Sequence, residues 1–504
     1  MFIRKKKNKS GIISVQVIDK STGKYKMLKT IGSSSDPEII ERMVKQGNLW
    51  IKDYIGQKEI DFSDERKIAE SILDNIEKIT VQGVYLLLGG IFDEIGFNVI
   101  PDKLFRQLVI ARLCFPSSKL KTTDLLSKHQ SLNIDVQQVY RYLDKLHNNQ
   151  KELVQDISYN HSLEILNNDI SVVFYDVTTL YFEIDQEDGI RKTGFSKEGK
   201  HQNPQIVLGL LVSVDGYPMA YEIFEGNKFE GYTMLPVIDS FKQRYNLEKL
   251  VVVADSGLLS SDNITQLRNK GYEFILGARI KTEAQVVKNK IIDFDYNSQS
   301  ELLIKKDDDG LRLLVAYSEK RAKKDKHNRE KGLAKLEKKI KSGKLTKSNI
   351  NNKGYNKYLK LEGQIKISID KEKYAQDAKW DGLKGYLTNT KLSNAEIVEN
   401  YAHLWKIEKA FRISKTDLKI RPIFHRAQRR IEAHICISFV AYKVYKELER
   451  QLKCKGSNLS PEKAIEIAKT IYAIQTKTPL ANHVISKTII ITHEQKSLAD
   501  LFGF

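Results

Sequence analysis

The chain is 504 residues long and 41% hydrophobic, with 83 Lys and Arg against 64 Asp and Glu for a formal charge of +19. That length holds two to four structural units with a real core, and the positive balance points to nucleic acid as partner. Cys114, Cys436 and Cys454 have neither paired nor metal-ligand spacing, no apolar run reaches membrane-spanning length, and the basic start MFIRKKKNKSG lacks the apolar stretch of a signal peptide. A disulfide framework, structural zinc and a membrane span are therefore not expected, and the expected location is cytoplasmic.

Residues 1–60 read as a small α+β unit. Ile12 to Val17 and Lys24 to Ile31 alternate like two strands around the turn STGK, and Pro37 opens a helix through Tyr54. Residues 61–168 are helical in pattern, from about Ser63 onward, and one piece resembles a helix-turn-helix. Ser118 and Thr122 can cap a short helix over Leu125 and Leu126, SLNI makes a break, and Asp135 can cap a second helix. On that second helix Val136, Val139, Tyr140, Leu143 and Leu146 share one face. Gln137, Gln138, Arg141 and Lys145 then point outward, suited to phosphates and base edges, although an ordinary amphipathic core helix has the same pattern.

From residue 169 to about 280 the texture is α/β. Strands are expected over Val172 to Tyr175, Ile206 to Val214, Pro218 to Phe224, Leu250 to Ala254 and Phe274 to Gly277, with a hairpin at Asp215-Gly216 and helices over Thr233 to Tyr245 and Asp262 to Asn269. Residues 281–390 break into short strand-like pieces, Glu301 to Ile304, Leu311 to Tyr317 and Gln364 to Ile369, around a lysine-rich run. From Lys320 to Lys360 there are 16 Lys or Arg against 3 Asp or Glu. A Lys, Ile and Asn bias from an AT-rich genome would raise the total charge without gathering it, so charge this local looks placed. As a solvated helix Lys331 to Lys341 needs no partner; along DNA, residues such as Lys338 would follow phosphates. Residues 391–450 return to helix, and 451–504 read as a helical C-terminal region.

Three acidic residues stand out: Asp176 in SVVFYDVTTLYF, Asp255 in LVVVADSGLLS and Glu408 in ENYAHLWKIEKAFRISK. Either aspartate alone could be a cap or a turn residue. Both follow apolar, β-branched runs, so both can project from the same end of one sheet, where sites are commonly built. Tyr401, Glu408 and Lys415 are spaced by seven, two helical turns, and are expected on one helical face, with Trp405, Ile407 and Phe411 packing elsewhere. Three carboxylates brought together repel by roughly 4 kcal/mol per pair at 4 Å, so such a cluster is stable mainly around a hard divalent cation, magnesium or manganese.

FYDVTTLYFE, GFSKEGKHQNPQIVLGLLV, FEGNKFEGYTMLP, VVVADSGLLSSDNI, WDGLKGYLTNT and Y-x6-E-K-A-F-R-x2-K-x4-IRPIFHR resemble, in that order, the DDE transposases of bacterial insertion sequences, within them the insertion sequence 4 superfamily. The resemblance runs from about residue 1 to 450. It implies an α/β fold: an RNase H-like mixed-sheet catalytic core carrying a β-rich insertion domain, preceded by a helical DNA-binding region. It also implies Asp176, Asp255 and Glu408 as catalytic ligands of two magnesium ions, with manganese able to substitute, and Tyr401 and Lys415 as contacts to the DNA terminus. The superfamily's signature arginine falls at Leu404, and Arg412 or Lys406 is the expected replacement. The implied activity is hydrolysis at the element's ends followed by strand transfer of the 3′-hydroxyl into target DNA. The implied partners are terminal inverted repeats, a target duplex and a second copy of the chain, in a nucleoid-associated setting. A metal-dependent nuclease of the same fold without strand transfer shares every catalytic residue, and an inactive DNA-binding remnant is the third reading.

Overall fold

A computed structural model describes residues 1–56, 70, 73–146, 150–196, 199–343, 345–346, 349–351, 354–362, 366–421, 423–477 and 483–504. The chain divides into two compact units, one made of Met1–Glu77 with Gln475–Ile485 and the other of Lys78–Ile474 with Ser486–Phe504.

In the smaller unit Phe2–Lys7 (β1), Ile13–Asp19 (β2) and Lys26–Ser34 (β3) form an antiparallel sheet in that order. The basic N-terminus, in which no element was expected, is thus a strand: it forms a hairpin with β2, while its own residues carry no apolar alternation. The helix Pro37–Tyr54 (α1) matches its expected bounds, because Asp36 accepts from the Glu38 amide and proline occupies the first turn. Val15, Val17, Ile18 and Ile40 form its core. The expected helical start near Ser63 lies outside the described residues. Ile76–Val81 (β4), Tyr472–Lys477 and Val484–Ile489 are strands, so the C-terminal region expected to be helical carries two of them.

The larger unit begins with helices Gly83–Glu94 (α2), Lys103–Cys114 (α3), Lys119–Gln130 (α4), Val136–Leu146 (α5) and Gln150–Ile165 (α6). Its centre is an eight-stranded sheet. Val172–Tyr181 (β5), Gln205–Ser213 (β6) and Pro218–Glu225 (β7) are an antiparallel meander, and Val251–Ala254 (β8) and Glu273–Ala278 (β9) continue it in parallel on the β5 side. This order, β7-β6-β5-β8-β9, is that of an RNase H-like core. The turn at Asp215-Gly216 is as expected, with Gly216 at a φ of 83°. β6 is buried along its whole length, which is why it reads as a continuous apolar run instead of an alternating one.

Met234–Tyr245 (α7), Ser261–Asn269 (α8) and Gln285–Ile292 (α9) follow in the chain. Beyond β9 the sheet goes on through strands of the 281–390 segment: Leu383–Thr388 pairs with β9, Arg312–Tyr317 (β11) pairs with Leu383–Thr388, and Glu301–Lys305 (β10) forms the edge. Among the described residues of this segment, the hairpin of Leu359–Glu362 (β12) and Lys366–Ile369 (β13), with helices Glu319–Lys341 (α10) and Lys371–Ala378 (α11), stands apart from that sheet, and there Leu336, Tyr358 and Leu359 form a small core. Leu383–Thr388 is β14. Gln364, where the third strand-like piece was expected to start, lies outside the described residues.

Asn394–Ala402 (α12), Trp405–Thr416 (α13), Gln428–Cys454 (α14), Pro461–Ala468 (α15) and His493–Phe502 (α16) complete the helices used below. The sheet is filled on both faces. Phe174, Leu210, Val253 and Ile275 pack with α2, α3, α13 and α14, while Tyr175, Leu211, Val252 and Phe274 pack with α7 and α8. Helices on both faces of one sheet make a three-layer body.

Candidate active site

Asp176 lies inside β5 and does not close it, since the strand continues to Tyr181. What ends there is the parallel ladder. Tyr175 pairs with Ala254, the last residue of β8, and Asp255 is the next residue. Asp176 and Asp255 are therefore neighbours one step beyond the last pair of two adjacent strands, which lie about 4.8 Å apart in a sheet. Strand alternation puts both on the face of Phe174 and Val253. α12 packs over β8 and β9 on that face, and α13 packs over β5.

These two helices carry the remaining expected residues. The single helical face predicted for Tyr401, Glu408 and Lys415 is broken: α12 ends at Ala402 and α13 starts at Trp405. At the junction the His403 amide bonds Asn400 as well as Glu399, and that of Leu404 bonds Tyr401, so i→i+3 bonding supplants the α-helical pattern for one turn. Tyr401 thus belongs to a different helix from Glu408. Its buried hydroxyl donates to Asp255 Oδ1 at 3.4 Å, and the same oxygen accepts from the Ser256 amide at 2.6 Å. Gly277 makes this approach feasible. A Cβ there would meet the Tyr401 hydroxyl and lie 2.9 Å from the Ser256 nitrogen.

Glu408, Arg412 and Lys415 follow one another at helical spacing on α13, with Glu408 and Arg412 exposed and Lys415 half-buried in the last turn. Ile407 and Phe411 are buried as expected; Trp405, expected to pack, is 53% exposed because it lies three residues before Glu408 on the same outward face of α13. Lys406 has another employment: its Nζ donates to the Val214 carbonyl at 2.6 Å and lies 3.8 Å from Asp215. That turn follows Ser213, which pairs with Val173 near the start of β5, so Lys406 is directed toward the opposite end of the strand from Asp176. Leu404, at the signature-arginine position, is buried.

Lys384, on β14, drew no attention in the sequence beyond its place in WDGLKGYLTNT. Its ammonium lies 4.2 Å from the Tyr401 ring centroid and 6.0 Å from that of Tyr386. Burial and then the charge of Arg321 push it below the ordinary lysine range, while Asp255 and Glu408 both oppose that shift. The same two carboxylates, after burial, raise the Tyr401 phenol. Asp255 and Glu408 thus converge electrostatically on one pair of side chains. Beside them opens a cleft of 490 Å³ lined by Asp255, Arg279, Lys281, Arg321, Lys384 and Tyr401 among others, in which Lys281 is paired with Asp377 and Arg321 lies 3.5 Å from Asp325. Arg279 is steadied by donating to the Ser256 carbonyl at 2.8 Å. Arg279 and Lys384 leave positive charge on the walls of the groove, which attracts phosphate oxygens.

The donor set Asp176, Asp255 and Glu408 is all hard oxygen, the right chemistry for a divalent cation. Among the described residues, however, no three His, Cys, Asp or Glu stand close enough to hold a metal ion as the side chains are placed. Asp255 is turned to Ser256 and Tyr401 instead.

In the region expected to be a helix-turn-helix, α4 and α5 flank a break at residues 131–135. α4 is capped by Ser118, α5 buries Val139, Leu143 and Leu146 with Tyr142 added, and Gln137, Gln138, Arg141 and Lys145 are exposed. Gln138 also accepts from the Asp135 amide, closing the start of α5, and Lys145 lies 3.9 Å from Asp102. Lys338 is exposed on α10, which extends the expected lysine helix back to Glu319. No described helix is long and apolar enough to cross a membrane.

A family model described as a transposase DDE domain matches residues 167–443. Among solved structures, the chain is similar to the piggyBac transposase in its synaptic complex with hairpin DNA, at 9% identity and a TM-score of 0.37 over 77% of this chain and 76% of that one. It is also similar to the Mos1 transposase in its paired-end complex with the left transposon end, at 12% identity and a TM-score of 0.16 over 34% and 57% of the two chains. No protein of curated function matches.

Proposed function

The chain belongs to the transposase DDE domain family, and on that basis we propose that it cuts DNA at the ends of a mobile element and transfers the freed 3′-hydroxyl into a target duplex. The register of β5 and β8 carries this reading, since it sets Asp176 and Asp255 side by side beneath the helices that bear Tyr401 and Glu408.

Asp176, Asp255 and Glu408 would hold a divalent cation, magnesium or manganese. When bound it lowers the pKa of a water and offsets charge on the leaving oxygen. The other groups act on the strand. Tyr401 orients Asp255 through its hydroxyl. Lys384, Arg279 and Arg321 receive phosphate oxygens in the cleft, and Arg412 and Lys415 neutralise phosphate at the DNA terminus. Gln138, Arg141 and Lys145 of α5 read the terminal repeat, and the row containing Lys338 follows backbone. The element is assigned to the insertion sequence 4 superfamily, with two copies of the chain pairing two ends on the nucleoid.

The test is incubation of the protein with its flanking inverted repeats and a second duplex, with magnesium, manganese, calcium or a chelator. Cleavage at the repeat boundary and joined products are expected with the first two, and binding without turnover is expected with calcium. Asp176→Asn, Asp255→Asn and Glu408→Gln should each abolish cleavage while leaving duplex binding nearly intact. Efficient end cleavage that never yields joined products would mark a nuclease instead, and full activity in chelator would end the metal-dependent reading.

A further inference from the structure

A second cationic site lies between the helix-turn-helix region and the segment that follows α13. Arg112, at the end of α3, and Lys119, in the first turn of α4, are each only 6% exposed. Both line a pocket of 210 Å³ with Ser118, Tyr140, His425 and His434, and no carboxylate is among its lining residues. Among the described residues neither cation makes an ion pair. Arg112 donates to the Leu418 carbonyl at 3.5 Å, and Lys119 Nζ lies 3.0 Å from His434 Nδ1.

The histidine does not compensate the charge. His434 Nε2 lies 3.0 Å from the Ile420 carbonyl, which can only accept, so the ring proton sits on Nε2 and Nδ1 accepts from Lys119. Burial and then the charges of Lys119 and Arg112 hold His434 well below the ordinary histidine range. The nearest acidic influence is Asp144, which reaches His425 but is itself bound by Arg429 and Arg430. Lys419, on the rim, is held in the left-handed region at a φ of 45°, a conformation that costs energy in a residue with a side chain.

Burial and the charge of Arg112 hold Lys119 well below the ordinary lysine range, so these two groups are costly to keep charged without a counter-charge, and an entering anion offsets that cost. The pocket also opens on the N-terminal turn of α4, where backbone amides favour negative charge. We infer that this pocket binds a phosphate group, and that in the working protein the group belongs to the DNA strand lying along α5. The pocket as an anion site stands on its own geometry; assigning the phosphate to DNA rests on the DNA-processing function proposed above.

The full-length protein is titrated with inorganic phosphate, with chloride at matched ionic strength as control, and its Tm is followed. Phosphate should raise Tm saturably, by roughly 1–2 °C at ten times its Kd. Lys119→Met and Arg112→Met should lose that shift and melt no lower than the parent without phosphate, because each removes an unpaired buried charge; Lys119→Arg should keep it. In a second arm, inorganic phosphate should compete with a short duplex bound to the parent, and Lys119→Met should bind that duplex about tenfold more weakly with a shallower salt dependence. A parent shift no larger than in chloride, or the same shift in both Met variants, overturns the anion site. Phosphate and duplex that bind without competing overturn the DNA assignment. Neither arm needs DNA cleavage, so a failed cleavage assay leaves this outcome separately decided.

Discussion

Lys384 sits over the ring of Tyr401, its ammonium 4.2 Å from the centroid, while the Tyr401 hydroxyl donates to Asp255. A cation stacked on a ring gains on the order of 1 kcal/mol, more where water is excluded. Here the stack also joins β14, α12 and the end of β8 into one side of the cleft. Lys384→Met should lower end cleavage about 10²-fold, the scale of losing one well-aimed electrostatic group, while duplex binding changes only a few-fold. Lys384→Arg should recover part of the loss. Single-turnover cleavage beside a binding titration reads both, and unchanged cleavage in the Met variant would remove Lys384 from the site.

Gly277 is the second point at which the cleft can be tested. An added methyl group meets the Tyr401 hydroxyl and the Ser256 nitrogen, so Gly277→Ala should destabilise the fold by roughly 1–3 kcal/mol and reduce cleavage. Because one of the two obstructing atoms is that hydroxyl, adding Tyr401→Phe to the Gly277→Ala variant should give back part of the stability. In the parent, Tyr401→Phe should cost stability or leave it unchanged. The double-mutant cycle, followed by urea unfolding, should show coupling; strict additivity would mean that the two residues do not meet.

Two patches should respond differently to DNA sequence. Lys335, Lys338, Lys339 and Lys341 are exposed on α10, and neutralising all four should weaken binding to repeat and random duplexes alike. Every phosphate that a lysine no longer neutralises lowers the slope of log K against log salt by about 0.9. Gln138→Ala and Arg141→Ala on α5 should instead lower affinity for the repeat far more than for random DNA. Titration of both sets at two salt concentrations separates the outcomes, and an unchanged slope in the lysine variant would return α10 to a solvated surface.

His161 supplies a pH dependence of stability. Burial, with Lys443 beside it, lowers its pKa from 6.5 to about 4, outweighing the opposing charge of Glu447. The unfolded chain therefore takes up a proton below about pH 6.5 that the folded chain refuses until about pH 4. Stability is complete above the upper value and is lost as pH falls through this window, by up to roughly 3 kcal/mol for this group. His425, lowered to about 3 by burial and by Lys119 and Arg112, adds a loss of the same sign. His161→Phe should preserve the edge-on packing against Tyr217 and flatten the acid limb of the curve, checked by urea unfolding from about pH 7 to pH 4.5. A parent and variant with parallel curves would refute the assignment.

Much of this protein is legible locally. Asp36-Pro37 starts α1, the β-branched runs before Asp176 and Asp255 become adjacent strands, and the outward face of α5 is correct residue by residue, because capping and hydrophobic period are properties of neighbouring positions. Tertiary structure decided what depends on a partner and not on a segment's own pattern. β1 has no apolar alternation to announce it and exists because β2 offers it a ladder. Strands expected to form a β-rich insertion domain continue the core sheet through β14, since an edge strand pairs wherever its backbone groups can be satisfied. The heptad from Tyr401 to Lys415 is regular in sequence, yet one turn of i→i+3 bonding divides it and sends Tyr401 to Asp255. Arg112, Lys119 and His434 gather around one pocket although no spacing relates them, because burial and charge compensation are properties of a three-dimensional neighbourhood that sequence order does not record.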